Sequence, residues 1–114
     1  MPDNLPTYAV GASHSATKDV EKIYRYLLNS EGKEAAEKMF ARIREAFESL
    51  RQLPLRGKIV PELKGMNQQN YREILIGVCR IIYQVAGERV VIAAVVDTRR
   101  SVQDVLVKRG LHLQ

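Results

Sequence analysis

YREILIGVCRIIYQVAGERVVIAAVVDTRR, residues 71–100, is the stretch that decides the fold of this chain. It contains three apolar runs, at about 71–76, 79–85 and 89–96, and short glycine-containing segments separate them. This is the pattern of strands joined by tight turns, and Gly77-Val78 suits a two-residue type II′ hairpin. We therefore predict a three-stranded antiparallel meander. Its last strand is apolar on both faces, so both faces should be covered.

The predicted hairpin also sets the register of the arginines in this stretch. Counting back from Gly77-Val78 places Arg72 opposite Tyr83, where a cation–π or stacking contact is expected. The same count places Arg80 on the other face of the sheet, diagonal to Glu73. A guanidinium stays charged and needs an anionic partner or water. We interpret Arg80 and Glu73 as an internal salt bridge, with ligand binding by Arg80 as the alternative.

The part of the chain before the meander predicts a strand and a helical hairpin. A short apolar segment at 7–13 reads as the first strand. Apolar positions then recur at helical spacing over about 16–29 and 33–52, and Pro54 ends the second helix. We interpret the charged side chains of both helices as solvated. Residues 54–70 are rich in Gly, Pro and polar side chains and read as a loop.

Two shorter elements complete the predicted fold. A short strand is expected near Ile59. Ser101-Val102-Gln103-Asp104 has the pattern of a capping box that opens a short helix, with Val105 and Leu106 as its apolar anchors. The 114 residues are interpreted as a single domain, 1–114. The predicted class is α+β, with a strand, a helical hairpin, a three-stranded antiparallel meander and a short C-terminal helix.

The charge of the chain is placed unevenly. The formal net charge is +5, and the excess lies in residues 56–114, which hold ten basic and five acidic side chains. This asymmetry fits either a nucleic acid or an acidic protein partner.

No apolar run has the length of a membrane span and no secretory signal is visible. We therefore expect a cytoplasmic protein with no membrane partner.

Residue types that would bind a metal or act as a nucleophile are scarce. Cys79 lies in an apolar strand pattern and is interpreted as a buried thiol. The two histidines, His14 and His112, have no ligand spacing with a partner. We expect no metal and no cofactor.

Arg99 and Arg100 follow directly on the last predicted strand and precede a predicted helix start. Arginines in a loop on a rigid scaffold are well placed to touch a phosphate or a carboxylate, although two solvated arginines fit the pattern equally well. The candidates for contact with a target or partner are therefore Arg72, Tyr83, Arg99 and Arg100.

Several segments together resemble the RelE/ParE superfamily of bacterial type II toxins, and the ParE branch more closely. They are Pro54-Leu55-Arg56-Gly57, Pro61-Glu62-Leu63, Tyr71-Arg72-Glu73 and the short hairpin at Gly77, and the resemblance spans roughly residues 8–100. It implies the toxin of a toxin–antitoxin pair. It further implies a toxin that binds DNA gyrase and blocks replication without a chemical step of its own.

The alternative is the RelE branch, whose members are ribosome-dependent mRNA endoribonucleases. By that resemblance Arg80 and Arg99 match basic positions and Arg72 matches a lysine, so these three arginines would be the catalytic residues. Ile74 stands at the next lysine position, and the C-terminal tyrosine of that branch is missing. RNA cleavage needs a base, an acid and cations for the phosphorane charge. An enzymatic function is therefore the less favoured interpretation.

The resemblance also implies a partner. It is a ParD-like antitoxin, whose N-terminal part dimerises as a ribbon-helix-helix DNA-binding module and whose C-terminal segment folds onto the toxin. A toxin–antitoxin hetero-oligomer is expected, with DNA gyrase as the target.

Overall fold

The structure is a computed structural model, and it describes residues 7–63, 70–98, 105–106 and 108–109. The elements in chain order are β1 (Ala9–Ala12), α1 (His14–Glu31), α2 (Lys33–Ser49), β2 (Lys58–Ile59), a 3-10 turn (Pro61–Leu63), β3 (Tyr71–Ile76), β4 (Cys79–Ala86) and β5 (Arg89–Asp97).

The described residues form one sheet of five strands in the order β1-β5-β4-β3-β2. The predicted antiparallel meander of β3, β4 and β5 is confirmed, and so is the register that places Arg72 opposite Tyr83. The sheet is larger than the predicted meander because β2 pairs antiparallel with β3 and β1 pairs parallel with β5. The parallel pair joins segments some eighty positions apart, with Ala12 beside Ile92, and no local pattern predicts it.

The hairpin turns adopt the backbone that their glycines allow. Gly77 has a φ of 59°, whereas the φ of Val78 is not positive. This combination fits the predicted type II′ turn. Gly87 has φ 63° in the turn between β4 and β5. Because the first turn is a two-residue loop, it determines which residues of β3 and β4 face each other.

The helical hairpin is confirmed, with a start earlier than the periodicity predicts. Helix α1 begins at His14 because the Ser13 hydroxyl accepts a hydrogen bond from the Ala16 amide at 3.0 Å, which caps the helix. The two helices are joined by Gly32 alone, at φ 97°. They lie against one face of the sheet, where Ile43 of α2 and Ile92 of β5 belong to the same buried cluster.

The opposite face of the sheet carries a second buried cluster. It includes Ile82 and Val96 from the sheet, Leu63 from the 3-10 turn, and Val105 and Leu106 from the tail. The prediction that β5 is covered on both faces is therefore confirmed. Residues 105, 106 and 108 are helical, as expected for the tail, while the predicted capping box at 101–104 lies outside the described residues.

One interpretation of the helix charges is wrong. Asp19 of α1 is not solvated but buried, with 6% of its surface exposed. It lies at i+3 from the buried Ala16 and at i−4 from Ile23, so it shares the apolar stripe. Leu28, one of the apolar positions of this helix, is 39% exposed. Within the described ranges, no helix is both long enough and apolar enough to cross a membrane.

Candidate functional site

Arg80, one of the candidate cations, is enclosed by two carboxylates. Its Nε and Nη2 donate to Glu73 Oε1 at 2.8 and 2.5 Å. Its Nη1 and Nη2 donate to Glu62 Oε2 and Oε1 at 2.7 and 2.8 Å, which is a bidentate contact with both carboxylate oxygens. The predicted salt bridge between Arg80 and Glu73 is confirmed. Glu62, in the 3-10 turn, is a partner that the sequence did not reveal.

The charges of this cluster neutralise one another. The hydrogen bonds from Arg80 lower the pKa of the Glu62 carboxyl, and the bond to Glu62 is the main cause that raises the pKa of Arg80. Lys58 Nζ lies 3.7 Å from Glu73 Oε2. Two cations and two carboxylates are thus in contact, and Arg80 is only 7% exposed. The guanidinium of Arg80 is thus already held by two carboxylates of the protein.

A hollow of about 270 Å³ opens beside this cluster. It is lined by Pro61, Glu62, Glu73, Leu75, Arg80 and Thr98. Its polar wall consists largely of the neutralised cluster, so it offers a small ligand little uncompensated charge.

Arg72 lies on the other face of the sheet, as predicted, but its guanidinium makes a different contact. Instead of stacking on Tyr83, Nη1 donates to the carbonyl oxygens of Gly57 at 2.7 Å and Leu55 at 3.5 Å. Both acceptors are neutral. The charge of Arg72 is therefore fixed in place by the backbone without being neutralised by these contacts.

Tyr83 is fully buried, which leaves none of its surface for direct contact with a partner. Its hydroxyl accepts a hydrogen bond from the Gly57 amide at 2.9 Å. Burial raises the pKa of this hydroxyl, and the Gly57 hydrogen bond and the charges of Arg72 and Arg56 oppose part of that rise. Tyr83 thus holds the segment before β2 against the sheet.

Gly57 allows this close approach. A Cβ atom at this position would lie 2.6 Å from the main-chain oxygen of Glu73 and 2.7 Å from the hydroxyl oxygen of Tyr83. From the sequence, Gly57 is placed in a loop and in a segment that carries the family resemblance, with no structural role assigned to it. The Pro-Leu-Arg-Gly sequence at 54–57 was the available signal, since a glycine after a tight turn often marks a close backbone approach.

The segment before Gly57 is a compact turn, and the exposure of its leucines was not predicted from the sequence. The Arg56 amide donates to the Leu53 carbonyl at 3.1 Å, and Pro54 takes the second position of this turn. Leu53 and Leu55 are 60% and 62% exposed. We call residues 53–56 the Pro54 turn.

Arg99 and Arg100 lie outside the described residues, so their roles stay predictions. The residue before them, Thr98, donates its amide to the Val78 carbonyl at 2.8 Å.

Cys79 is buried as predicted, and burial raises the pKa of its thiol. In the part of the chain that the structure describes, no group of three or more His, Cys, Asp or Glu side chains is arranged to hold a metal ion.

Fold and site together define a class of protein. It is a small α+β domain of the RelE/ParE type, in which a helical hairpin covers one face of a five-stranded sheet. The chain itself matches, over residues 11–102, the family described as ParE toxin of type II toxin-antitoxin system, parDE. This chain therefore belongs to the ParE toxin family, and the resemblance to the RelE/ParE superfamily is confirmed.

Solved structures share the fold at low sequence identity. A chain of the chromosomal ParDE toxin–antitoxin system from P. aeruginosa is 19% identical, with a TM-score of 0.66 over 80% of this chain and 96% of that one. A chain of the toxin–antitoxin complex RelBE2 from Mycobacterium tuberculosis is 24% identical, with a TM-score of 0.56 over 82% and 94%. The YoeB dimer from Staphylococcus aureus is 24% identical, with a TM-score of 0.50 over 77% and 93%. No curated protein sequence matches the chain.

Proposed function

We propose that this toxin binds DNA gyrase and blocks replication, and that it does so without a chemical step of its own. The observation that supports the proposal is the burial and pairing of Arg80. Its guanidinium donates hydrogen bonds to Glu62 and Glu73, and the residue is 7% exposed. A ribonuclease would need that cation for the developing phosphorane charge. A binding poison has no such requirement.

Two further placements favour binding over RNA cleavage. Ile74, at the position where the ribonuclease branch carries a lysine, is 6% exposed and packs in the cluster under the helices. Val105 and Leu106 are buried in the segment where that branch carries its tyrosine. All three residues contribute to the core of this protein. A catalytic side chain would instead have to face the RNA.

The proposed partner is a ParD-like antitoxin, and the proposed location is the cytoplasm, where gyrase acts. Among the predicted contact residues, Arg72, Arg99 and Arg100 stay candidates for binding the target or the antitoxin. An antitoxin that binds only the folded toxin would raise its free energy of unfolding by mass action. The free toxin should therefore melt at a lower temperature than the complex.

The test is a supercoiling assay with purified toxin, gyrase, relaxed plasmid and ATP. We expect supercoiling to stop and linear DNA to accumulate after detergent and protease treatment. The toxin with Arg89→Gln serves as the charge control for Arg72→Gln, because Arg89 is an exposed arginine on another strand, at the start of β5. Under the proposed binding role, Arg72→Gln weakens inhibition and Arg89→Gln does not.

The competing function is tested in parallel with a purified translation system. If the toxin cuts mRNA inside translating ribosomes while gyrase keeps its full activity, the gyrase proposal is rejected and the endoribonuclease is accepted. Inhibited gyrase with intact mRNA supports the proposal.

A further inference from the structure

We infer that the Pro54 turn, together with the guanidinium groups of Arg56 and Arg72, is a docking surface for a peptide segment that carries carboxylates and aliphatic side chains. The inference deepens the proposed function and rests on it in one respect, since the antitoxin is the partner to which we assign this chemistry. Its physical basis lies in three properties of the turn: exposed apolar area, rigidity and uncompensated positive charge.

The apolar area comes from two neighbouring leucines. Leu53 is 60% exposed and Leu55 is 62% exposed, and both stand on the same turn. Single exposed aliphatic side chains are ordinary on protein surfaces, whereas exposed apolar area bordered by polar or charged groups is typical of interaction sites. Covering them would remove apolar surface from water, which favours binding in proportion to the area.

The turn is held in one conformation by a set of hydrogen bonds. The Leu53 amide donates to the Ser49 carbonyl at 3.1 Å and the Arg56 amide donates back to the Leu53 carbonyl at 3.1 Å. Arg56 Nη1 reaches the Ser49 hydroxyl at 2.8 Å, which ties the turn to the end of α2. A ligand therefore meets a preformed surface and does not have to order it, which reduces the entropic cost of binding.

The charge next to the leucines is positive, and no carboxylate among the described residues forms an ion pair with it. Arg56 donates to a hydroxyl and Arg72 donates to two main-chain carbonyls, and all three acceptors are neutral. The nearby cations Arg51 and Lys58, by contrast, have carboxylate partners. Arg72 Nη1 donates to the carbonyl oxygens of Leu55 and Gly57, the residues on either side of Arg56, so both arginines belong to the same surface. A carboxylate at this place would gain a charge-assisted hydrogen bond.

Other occupants fit this surface less well. A second copy of the chain would bring the same arginines against each other in a symmetric contact, and like charges at an interface are unfavourable. A nucleic acid would use the arginines but would leave the leucines against a polar backbone. An acidic peptide with aliphatic side chains uses both features at once.

The test uses three fluorescent probes and measures their anisotropy as the whole toxin is added. The first probe is a short peptide of alternating glutamate and leucine, the second replaces each leucine with serine, and the third is a single-stranded DNA oligonucleotide of the same charge. We expect the leucine-containing peptide to bind at least about tenfold more tightly than the other two.

Variants of the toxin locate the binding surface. The double variant Leu53→Ser with Leu55→Ser, and separately Arg56→Gln, should each weaken binding of the leucine-containing peptide by about tenfold. Leu28→Ser on α1 and Arg89→Gln on β5 are matched controls, because they change an exposed leucine and an exposed arginine elsewhere, and they should bind as the parent does. Circular dichroism of each variant verifies that it is folded.

Several results would overturn the inference. Equal binding of the serine peptide would leave only a charge effect, and tighter binding of the oligonucleotide would make the surface a nucleic-acid site. Self-association that disappears in the leucine double variant would assign the surface to a second copy. Folded leucine variants that bind like the parent would also refute it. The gyrase assay is independent of these titrations, so failure of either proposal is recognised separately.

Discussion

Asp19 and Arg109, ninety positions apart, form a two-pronged ion pair that joins α1 to the tail, with Asp19 Oδ1 2.6 Å from Arg109 Nη2 and Oδ2 2.9 Å from Nη1. The pair also serves the sheet. Asp19 Oδ2 accepts the Val95 amide at 2.9 Å, and Arg109 Nη1 donates to the Ala93 carbonyl at 3.0 Å. Both main-chain groups belong to β5.

The position of this pair follows from where β1 ends. The pairing of β1 with β5 stops at Ala12 and Ile92, and the register of β4 against β5 shifts at Ala93. Beyond this point no strand of the described residues pairs with the outer edge of β5, and its buried polar groups need other partners. Asp19 and Arg109 provide them, so a helix and the tail complete the hydrogen bonding of a strand.

The first prediction concerns Asp19. Replacement of Asp19 by Ala should lower the free energy of unfolding by about 3–5 kcal/mol, because it leaves a buried amide and a partly buried guanidinium without their partner. Asp19→Asn keeps an acceptor for the Val95 amide and should lose less. Urea unfolding followed by circular dichroism measures both. A loss for Asp19→Ala below about half a kcal/mol would contradict a structural role for the pair.

A double-mutant cycle separates the ion pair from the rest. Arg109→Ala alone, and then with Asp19→Ala, gives the coupling energy of the two side chains. We expect the double variant to be clearly more stable than the sum of the two single losses predicts. Additive losses would mean that the two side chains do not act as a unit.

The second prediction concerns Gly57. Replacement by Ala would put a Cβ atom 2.6 Å from the main-chain oxygen of Glu73 and 2.7 Å from the Tyr83 hydroxyl, and neither is the flexible end of a side chain. We expect Gly57→Ala to reduce the free energy of unfolding by about 1–3 kcal/mol, as overpacking does. Gly11→Ala is the control, because a Cβ there meets nothing within 4 Å. Equal stability of the two variants would disprove the close contact.

Local relationships in this chain could be predicted from the sequence. The turn at Gly77-Val78 determines the pairing of β3 with β4, and with it the faces of Arg72 and Arg80 and the contact of Arg80 with Glu73. These relations involve residues within about a dozen positions, where turn geometry and side-chain alternation are sufficient.

Long-range relationships could not be predicted in this way. Glu62 reaches Arg80 from a separate 3-10 turn, and Asp19 meets Arg109 across most of the chain. A single aspartate on a charged helix has the same local pattern whether it is solvated or buried. The spacing from Ala16 to Asp19 to Ile23 was the one available signal, and it becomes meaningful only once the helix face is known. The exposed Leu53 and Leu55 were equally hidden, because exposure depends on the rest of the fold.

The third prediction concerns Ile92, which is fully buried at the end of the β1–β5 pairing. Ile92→Ala should reduce the free energy of unfolding by about 2–5 kcal/mol, since it removes apolar contacts and leaves a cavity. Leu28→Ala, at a position that is 39% exposed, should change it much less. Chemical denaturation of both variants checks this. A loss below about half a kcal/mol for Ile92→Ala would be incompatible with its place in the core.

The fourth prediction concerns pH. Because the bond to Arg80 lowers the pKa of Glu62 below its ordinary 4.5 in the folded chain, the stabilisation is fully present above that value and is lost as the pH falls through the folded pKa. Glu62→Gln should therefore lower stability at neutral pH by about 1 kcal/mol, and its free energy of unfolding should fall less steeply than that of the parent below about pH 4.5.

Glu62→Asp keeps a carboxylate and should keep more of the steep acid dependence. Urea unfolding at a series of pH values measures the three slopes. Parallel slopes for the parent and Glu62→Gln would mean that Glu62 does not couple folding to protons, and that Arg80 depends on Glu73 alone.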